Sequence, residues 1–218
     1  MPCPMVHLGV AKQLCEKVKI ENLSSFYLGT IAPDGIFTRP NFTREEKRIN
    51  HLIPEDRERT IEDILLWLKD HLQFPDKSFI LGYAVHVLTD QIFNQYVYPV
   101  FCARYDSDNS PVQNRQWAFY NDTDIVDFEL YTAMEWRDEV WKHLENSNGI
   151  DVQEYLSAEE ANSWCYRTLH WYDSGKSEHS HPVKYITFAK ECKKVPRFIT
   201  KYSQNRVKKS ALHSCNPE

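Results

Sequence analysis

Residues 79–94 read FILGYAVHVLTDQIFN. The run is apolar almost all round, through Phe79, Ile80, Leu81, Tyr83, Ala84, Val85, Val87, Leu88, Ile92 and Phe93. A helix apolar on every side belongs inside a bundle rather than on its surface. The same run carries His86 and Asp90, four residues apart. On a helix that spacing places both side chains on one face, with Cβ atoms about 5–6 Å apart. A buried imidazole and carboxylate are costly unless they are paired or hold a metal. The reading of the chain therefore turns on what His86 and Asp90 face.

Working outward, the pattern is helical throughout. The sequence predicts a first helix from about Met5 to Lys19, with Val6, Val10, Leu14 and Val18 on one face, and a short second one over Ser24 to Ile31. Thr43 with Glu46, Thr60 with Asp63 and Ser157 with Glu160 are capping-box pairs that open three more. The third helix ends at His51, and Asp76 caps the central helix, which is expected to continue to about Cys102. After a polar loop from Asp106 to Gln116, helical patterns resume over about Thr123 to Glu145. Only 6 Gly occur, and no turn dipeptide sits between alternating residues, so hairpins are not expected. The expected fold is all-α: one domain over residues 1–218, of about seven or eight helices around a buried central helix at 79–102.

Composition narrows the function classes. With 42% hydrophobic and 26% charged residues the chain reads as a globule, and a net charge of −5 gives no reason to expect stable nucleic-acid binding. No apolar run reaches the length of a spanning helix, and the N-terminus MPCPMVHLGVAKQLCEKVKI has no basic segment followed by an apolar core. The six Cys, at 3, 15, 102, 165, 192 and 215, are scattered without a C-x-x-C pair, as in a reducing compartment. The expected location is the cytoplasm. The region 190–209 holds eight Lys or Arg and one acidic residue; the remainder carries 18 basic and 30 acidic residues, a net charge of −12. A solvated basic face is the ordinary reading of such a run, and attraction to phosphate-bearing surfaces the functional one. Residues 210–218 read as a disordered tail.

Four segments bring His or Asp out of apolar surroundings: His7 in PMVHLGVA, Asp34 in LGTIAPDGIF, His51 in RINHLIPED, and the pair His86 and Asp90. Singly, each has an ordinary explanation, as a hydrogen-bonded core histidine or as turn chemistry. Together they form an N/O set suited to zinc or another first-row divalent metal. The segment Asp122-Thr-Asp124-Ile-Val-Asp127 offers three further carboxylates. Asp124 and Asp127 share a helical face and suit a metal, while Asp122 or Asp124 equally suits an N-cap. His71, His143, His170, the pair His179 and His181, and His213 read as surface, half-buried or loop residues.

The stretches MVHLGVAK, FYLGTIAPDGIF, KRINHL and FILGYAVHVLTDQIFNQYVYP, and more weakly YNDTDIVDFELY to VKYITF, resemble the zinc-dependent phospholipase C family. That family is related to the S1/P1-type nucleases, and the likeness is nearer to its short bacterial branch. The resemblance implies an all-α fold holding one to three zinc ions. It implies that Asp34, His51, His86 and Asp90 hold one ion, that Asp90 bridges to a second held by His7 and the N-terminal amine (of Pro2 if Met1 is removed), and that Asp34 doubles as general base. It also implies another His soon after the central motif, then a His-x-x-x-acid pair. This chain has Tyr96 near the first place and no His between His86 and His143, so Asp124 and Asp127 are the substitutes on offer.

The implied activity is metal-dependent hydrolysis of phosphoric esters by activated water, with a phosphate ester as substrate and phospholipid among the candidates. Two alternatives stand beside it. One is a nuclease or other phosphohydrolase, although the His-Asp dipeptide of the HD type is missing. The other is a non-catalytic helical protein with a structural metal.

Overall fold

The computed structural model describes residues 3–111, 114–179 and 181–186. The basic region 190–209, the tail 210–218, His213 and the Met1-Pro2 terminus lie outside the described residues. The helices are α1 (Pro4–Cys15), α2 (Leu23–Ile31), α3 (Arg44–Asn50), α4 (Ile61–His71), α5 (Lys77–Tyr96), α6 (Tyr98–Asp106), α7 (Arg115–Ala133), α8 (Arg137–Glu145) and α9 (Ala158–His170). A 3-10 segment, Ala32–Thr38, follows α2 directly. The single β-bridge among the described residues joins Val152 and Leu156. The fold is an all-α bundle.

Local signals set the helix starts. The capping boxes at Thr43, Thr60 and Ser157 are formed in full, and Asp76 accepts the Phe79 N–H at 3.0 Å to open α5. Helix α5 is the core element: Phe79, Ile80, Tyr83, Val87 and Phe93 are all at most 1% exposed. Its most extensive neighbour is α2. The two cross at Gly29 and Gly82. A Cβ at Gly29 would overlap the Phe79 carbonyl, and one at Gly82 the Phe26 carbonyl. Backbone therefore meets backbone, an approach that only glycine permits. That approach brings the Thr30 carbonyl at the end of α2 against His86 on α5.

Three boundaries differ from expectation. The central helix stops at Tyr96 rather than Cys102, because Pro99 has no N–H and its ring collides with the carbonyl four residues back. The same proline is acceptable in the first turn of a new helix, α6. The segment expected as Thr123 to Glu145 is two helices, and the first begins earlier, at Arg115, where Asn114 accepts the Trp117 N–H at 2.9 Å. Met134 turns extended and ends α7, and the Arg137 guanidinium covers the freed Tyr131 carbonyl at 3.2 Å. Finally, α1 ends at Cys15, four residues short of Lys19.

Candidate metal centre

Four elements converge on one buried point. Helix α1 presents His7, the 3-10 segment Asp34, the C-cap of α3 His51, and α5 His86 with Asp90. All five are at most 5% exposed. His51 Nε2 lies 3.4 Å from Asp34 Oδ1 and 3.7 Å from Asp90 Oδ2. His86 Nε2 lies 3.9 Å from Asp34 Oδ1 and 3.7 Å from Asp90 Oδ2. None of these contacts has the geometry of a hydrogen bond. Two ligands of a tetrahedral zinc, each about 2.0–2.1 Å from the ion, stand about 3.4 Å apart, which is near the spacing observed. On the far side of Asp90, Oδ1 faces His7 Nε2 at 3.7 Å, so one carboxylate addresses both halves of the cluster.

Most of the atoms that converge are without partners. Nε2 of His51 and His86, both ring nitrogens of His7, and Oδ1 of Asp34 and Asp90 are buried and make no hydrogen bond. Buried polar atoms are almost always satisfied, and five residues orphaned at one point form a donor set that a cation completes. The backs of the rings are held. His86 Nδ1 donates to the Thr30 carbonyl at 2.9 Å, and His51 Nδ1 to the Lys47 carbonyl at 3.2 Å. Each bond fixes the tautomer and leaves Nε2 as a bare lone pair, the arrangement usual for metal-ligating histidines. The turn carrying His51 is clamped in its own right. Its carbonyl accepts from the buried Arg59 guanidinium, and the preceding Asn50 carbonyl from the Tyr83 hydroxyl at 2.5 Å.

Electrostatics point the same way. Burial pushes the His7 imidazolium down to about 3, helped by His86, whose own value burial also lowers. The two rings stack at 3.9 Å and 4°, as neutral imidazoles can. Burial pushes the Asp34 and Asp90 carboxyls up, and the surrounding imidazoles, His86 first, more than reverse this and leave both below the ordinary value. The carboxylates thus call for positive charge that the buried rings are poorly placed to supply as imidazolium. A divalent cation satisfies both demands, and the residues fit one.

The three carboxylates of α7 go elsewhere. They lie well inside the helix, so the N-capping alternative for Asp122 and Asp124 does not hold; Asn114 is the cap. Asp122 accepts the backbone N–H groups of Lys184, Tyr185 and Ile186, at 3.2, 2.6 and 2.9 Å, and so docks that segment. Asp124 accepts from the Ser177 hydroxyl and from His179 Nδ1 at 3.2 Å. Asp127 accepts the Met5 N–H at 2.9 Å and the Tyr172 hydroxyl, and burial raises its carboxyl to about 7. Asp127 therefore seats the first turn of α1, the helix that presents His7. The ligand atoms that approach one another within 4.8 Å come from His7, Asp34 and His86, and from His51, His86 and Asp90; neither Asp124 nor Asp127 joins these sets.

His71, His143 and His170 also differ from expectation. His71 is buried and stacks on Trp67 at 4.2 Å, because the end of α4 turns inward. His143, which WKHLEN suggests on a charged helix face, is half-buried and meets the Ser24 hydroxyl at 3.2 Å. His170 is exposed and pairs with Asp173 at 2.9 Å. His181 meets Trp117 edge-on at 4.7 Å. A cavity of about 340 Å³ opens against the cluster; Asp34 lines it, along with Asp124 of α7 and His179 from the segment after α9. Sequence reasoning gave His179 a loop role and did not single out Arg59 or Lys47, which act through contacts made only in the folded chain.

No protein-family model, no curated protein and no solved structure matches this chain.

Proposed function

We propose that the chain is a metal-dependent hydrolase of phosphoric esters, phospholipase C-like in character. The observation that carries the reading is the convergence of Asp34, His51, His86 and Asp90 at 3.4–3.9 Å, with Nε2 of both histidines and Oδ1 of both aspartates unpartnered. The order of these residues along the chain and the sequence resemblance support it. His51, His86, Asp34 and Asp90 would hold one ion, and Asp90 with His7 a second. A bound zinc supplies Lewis-acid polarisation and hydroxide at neutral pH.

The chain's own residues do the rest. Asp34 is the ligand-set residue that also lines the cavity, so its carboxylate is the group placed to take a proton from water beside a bound ester. Thr30 and Lys47, through their carbonyls, keep His86 and His51 in the tautomer with Nε2 bare. The apolar packing of α2 and α5 excludes water from the back of the site. The four described cysteines are free thiols, which supports a reducing compartment and the cytoplasm as the place of action. Among the described residues no helix is long and apolar enough to cross a membrane.

A structural metal is the second reading. A structural zinc is closed, whereas a catalytic one keeps an exchangeable position, and the exposure of Asp34 to the cavity favours a catalytic ion. The test is hydrolysis of bis(p-nitrophenyl) phosphate by zinc-loaded protein. Activity abolished by chelator and restored by zinc supports the hydrolase. Stoichiometric zinc without turnover of this ester or of phospholipid vesicles assigns a structural metal.

A further inference from the structure

The cavity beside Asp34 carries its own charge pattern. Its walls are aromatic: Phe37, Tyr120, Trp164 and Trp171. Two cations enter it. Lys47 Nζ stands 4.5 Å over the Phe37 ring, and the Arg167 guanidinium lies 5.0 Å from both the Trp164 and the Trp171 rings. Among the described residues neither cation has an ion-pair partner. The two carboxylates of the cavity are both committed. Asp34 belongs to the metal cluster, and Asp124 is held by Ser177 and His179. Neither carboxylate is paired with Lys47 or Arg167, so both cations are open to a ligand anion.

Binding a quaternary ammonium takes open aromatic faces. Here one face of each of Phe37, Trp164 and Trp171 already carries a cation of the protein itself. A cationic head group would meet like charge there, which costs affinity. An anionic group would find a planar guanidinium, pre-oriented by stacking, and an ammonium beside it. At about 340 Å³ the cavity has the size of a small organic ligand.

Resting on the reading of Asp34 as part of a hydrolytic centre, we propose that the site selects phosphate esters bearing a second anionic group, phosphate or carboxylate, which Lys47 and Arg167 receive, and that it rejects choline-type head groups. Lys47 plays two separable parts: its carbonyl holds His51 and its side chain reads the substrate.

The test is calorimetric titration of the full chain, zinc-loaded and chelator-stripped, with 3-phosphoglycerate, phosphocholine and inorganic phosphate. The wild type should bind 3-phosphoglycerate at least about tenfold tighter than phosphocholine, the size of one charge-assisted contact. The double variant Lys47→Met, Arg167→Leu should lose that preference and keep its affinity for inorganic phosphate. Lys47→Arg should retain the preference, and circular dichroism should show both variants folded. Phosphocholine binding as tightly as 3-phosphoglycerate, no binding of either, or a preference surviving in the double variant overturns the proposal. Vesicles containing phosphatidylinositol phosphate that sediment the wild type but not the double variant support it with the second anion on a lipid. A preference seen with 3-phosphoglycerate alone supports it with a soluble ester. The two readings fail separately. A preference that persists in protein unable to bind zinc removes the hydrolase and keeps the anion site, while zinc-dependent hydrolysis without the preference does the reverse.

Discussion

Asp90→Asn should change sign between the metal-free and the metal-loaded protein. Asp90 is 3% exposed, and its Oδ1 has no hydrogen-bond partner. At pH 8 in metal-free protein, where His7 and His86 are uncharged and give Asp90 no opposite charge, the substitution keeps the volume and removes one of two carboxylates from a buried site. Relieving an unsatisfied buried group is worth about 1–3 kcal/mol, and more when it is charged. The new amide N–H can also donate to the bare Nε2 of His86 or His51. For a chain of this length each kcal/mol moves the melting temperature by about 2–4 °C. Chelator-treated Asp90→Asn should therefore melt about 2–12 °C above chelator-treated wild type. With zinc at a hundred times its dissociation constant, the wild type gains about 2.7 kcal/mol, or about 5–11 °C. The variant, lacking the carboxylate that faces both halves of the cluster, should lose most of that gain and fall below the wild type. Paired calorimetric scans with chelator and with zinc measure both shifts. A substitution that lowers the melting temperature equally in both conditions would refute the reasoning, since Asp90 would then be an ordinary structural carboxylate.

Other outcomes follow from the packing and the charges. Gly82→Ala places a methyl group on the Phe26 carbonyl and should cost about 1–3 kcal/mol or more, with loss of metal affinity as Thr30 moves from His86; a melt unchanged from wild type would show that α2 and α5 do not touch there. Asp122→Ala should cost about 1.5–3 kcal/mol and expose the 184–186 amides to exchange, with metal content unaltered, because it accepts all three backbone N–H groups of that segment. For pH, His7 is held down to about 3, below its unfolded value near 6.5. Between these values the unfolded chain binds the extra proton, so His7 should make metal-free protein less stable as pH falls from about 6.5 towards 3. Asp127, raised to about 7, acts oppositely, costing stability as pH rises from about 4 to 7. His7→Gln should remove the first slope and Asp127→Asn the second in denaturant titrations across pH.

Legibility in the sequence followed the range of the interaction. Thr43, Thr60, Ser157 and Asp76 cap helices through residues three positions on, so their signals are complete within the local sequence. His86 and Asp90 were legible for the same reason, as an i,i+4 pair in an apolar helix. The break after Tyr96 was written in Pro99 but overridden by the apolar run around it. The start of α7 at Asn114 was hidden inside a polar stretch that reads as loop. The α7 carboxylates could not be assigned from sequence, because their partners lie on three other segments: Asp122 on residues 184–186, Asp124 on Ser177 and His179, Asp127 on Met5 and Tyr172. Lys47 and Arg167 carry no spacing signal at all; only the folded chain sets them over aromatic rings in one cavity.

The central claim is that the buried convergence of His7, Asp34, His51, His86 and Asp90 binds a divalent metal. Elemental analysis of the full chain purified without chelator, beside His86→Ala, tests it most directly. The account predicts at least one equivalent of zinc or a similar first-row ion in the wild type and a substoichiometric amount in the variant, with both folded by circular dichroism. Equal metal content in the two proteins, or none in the wild type even after incubation with zinc, would contradict it.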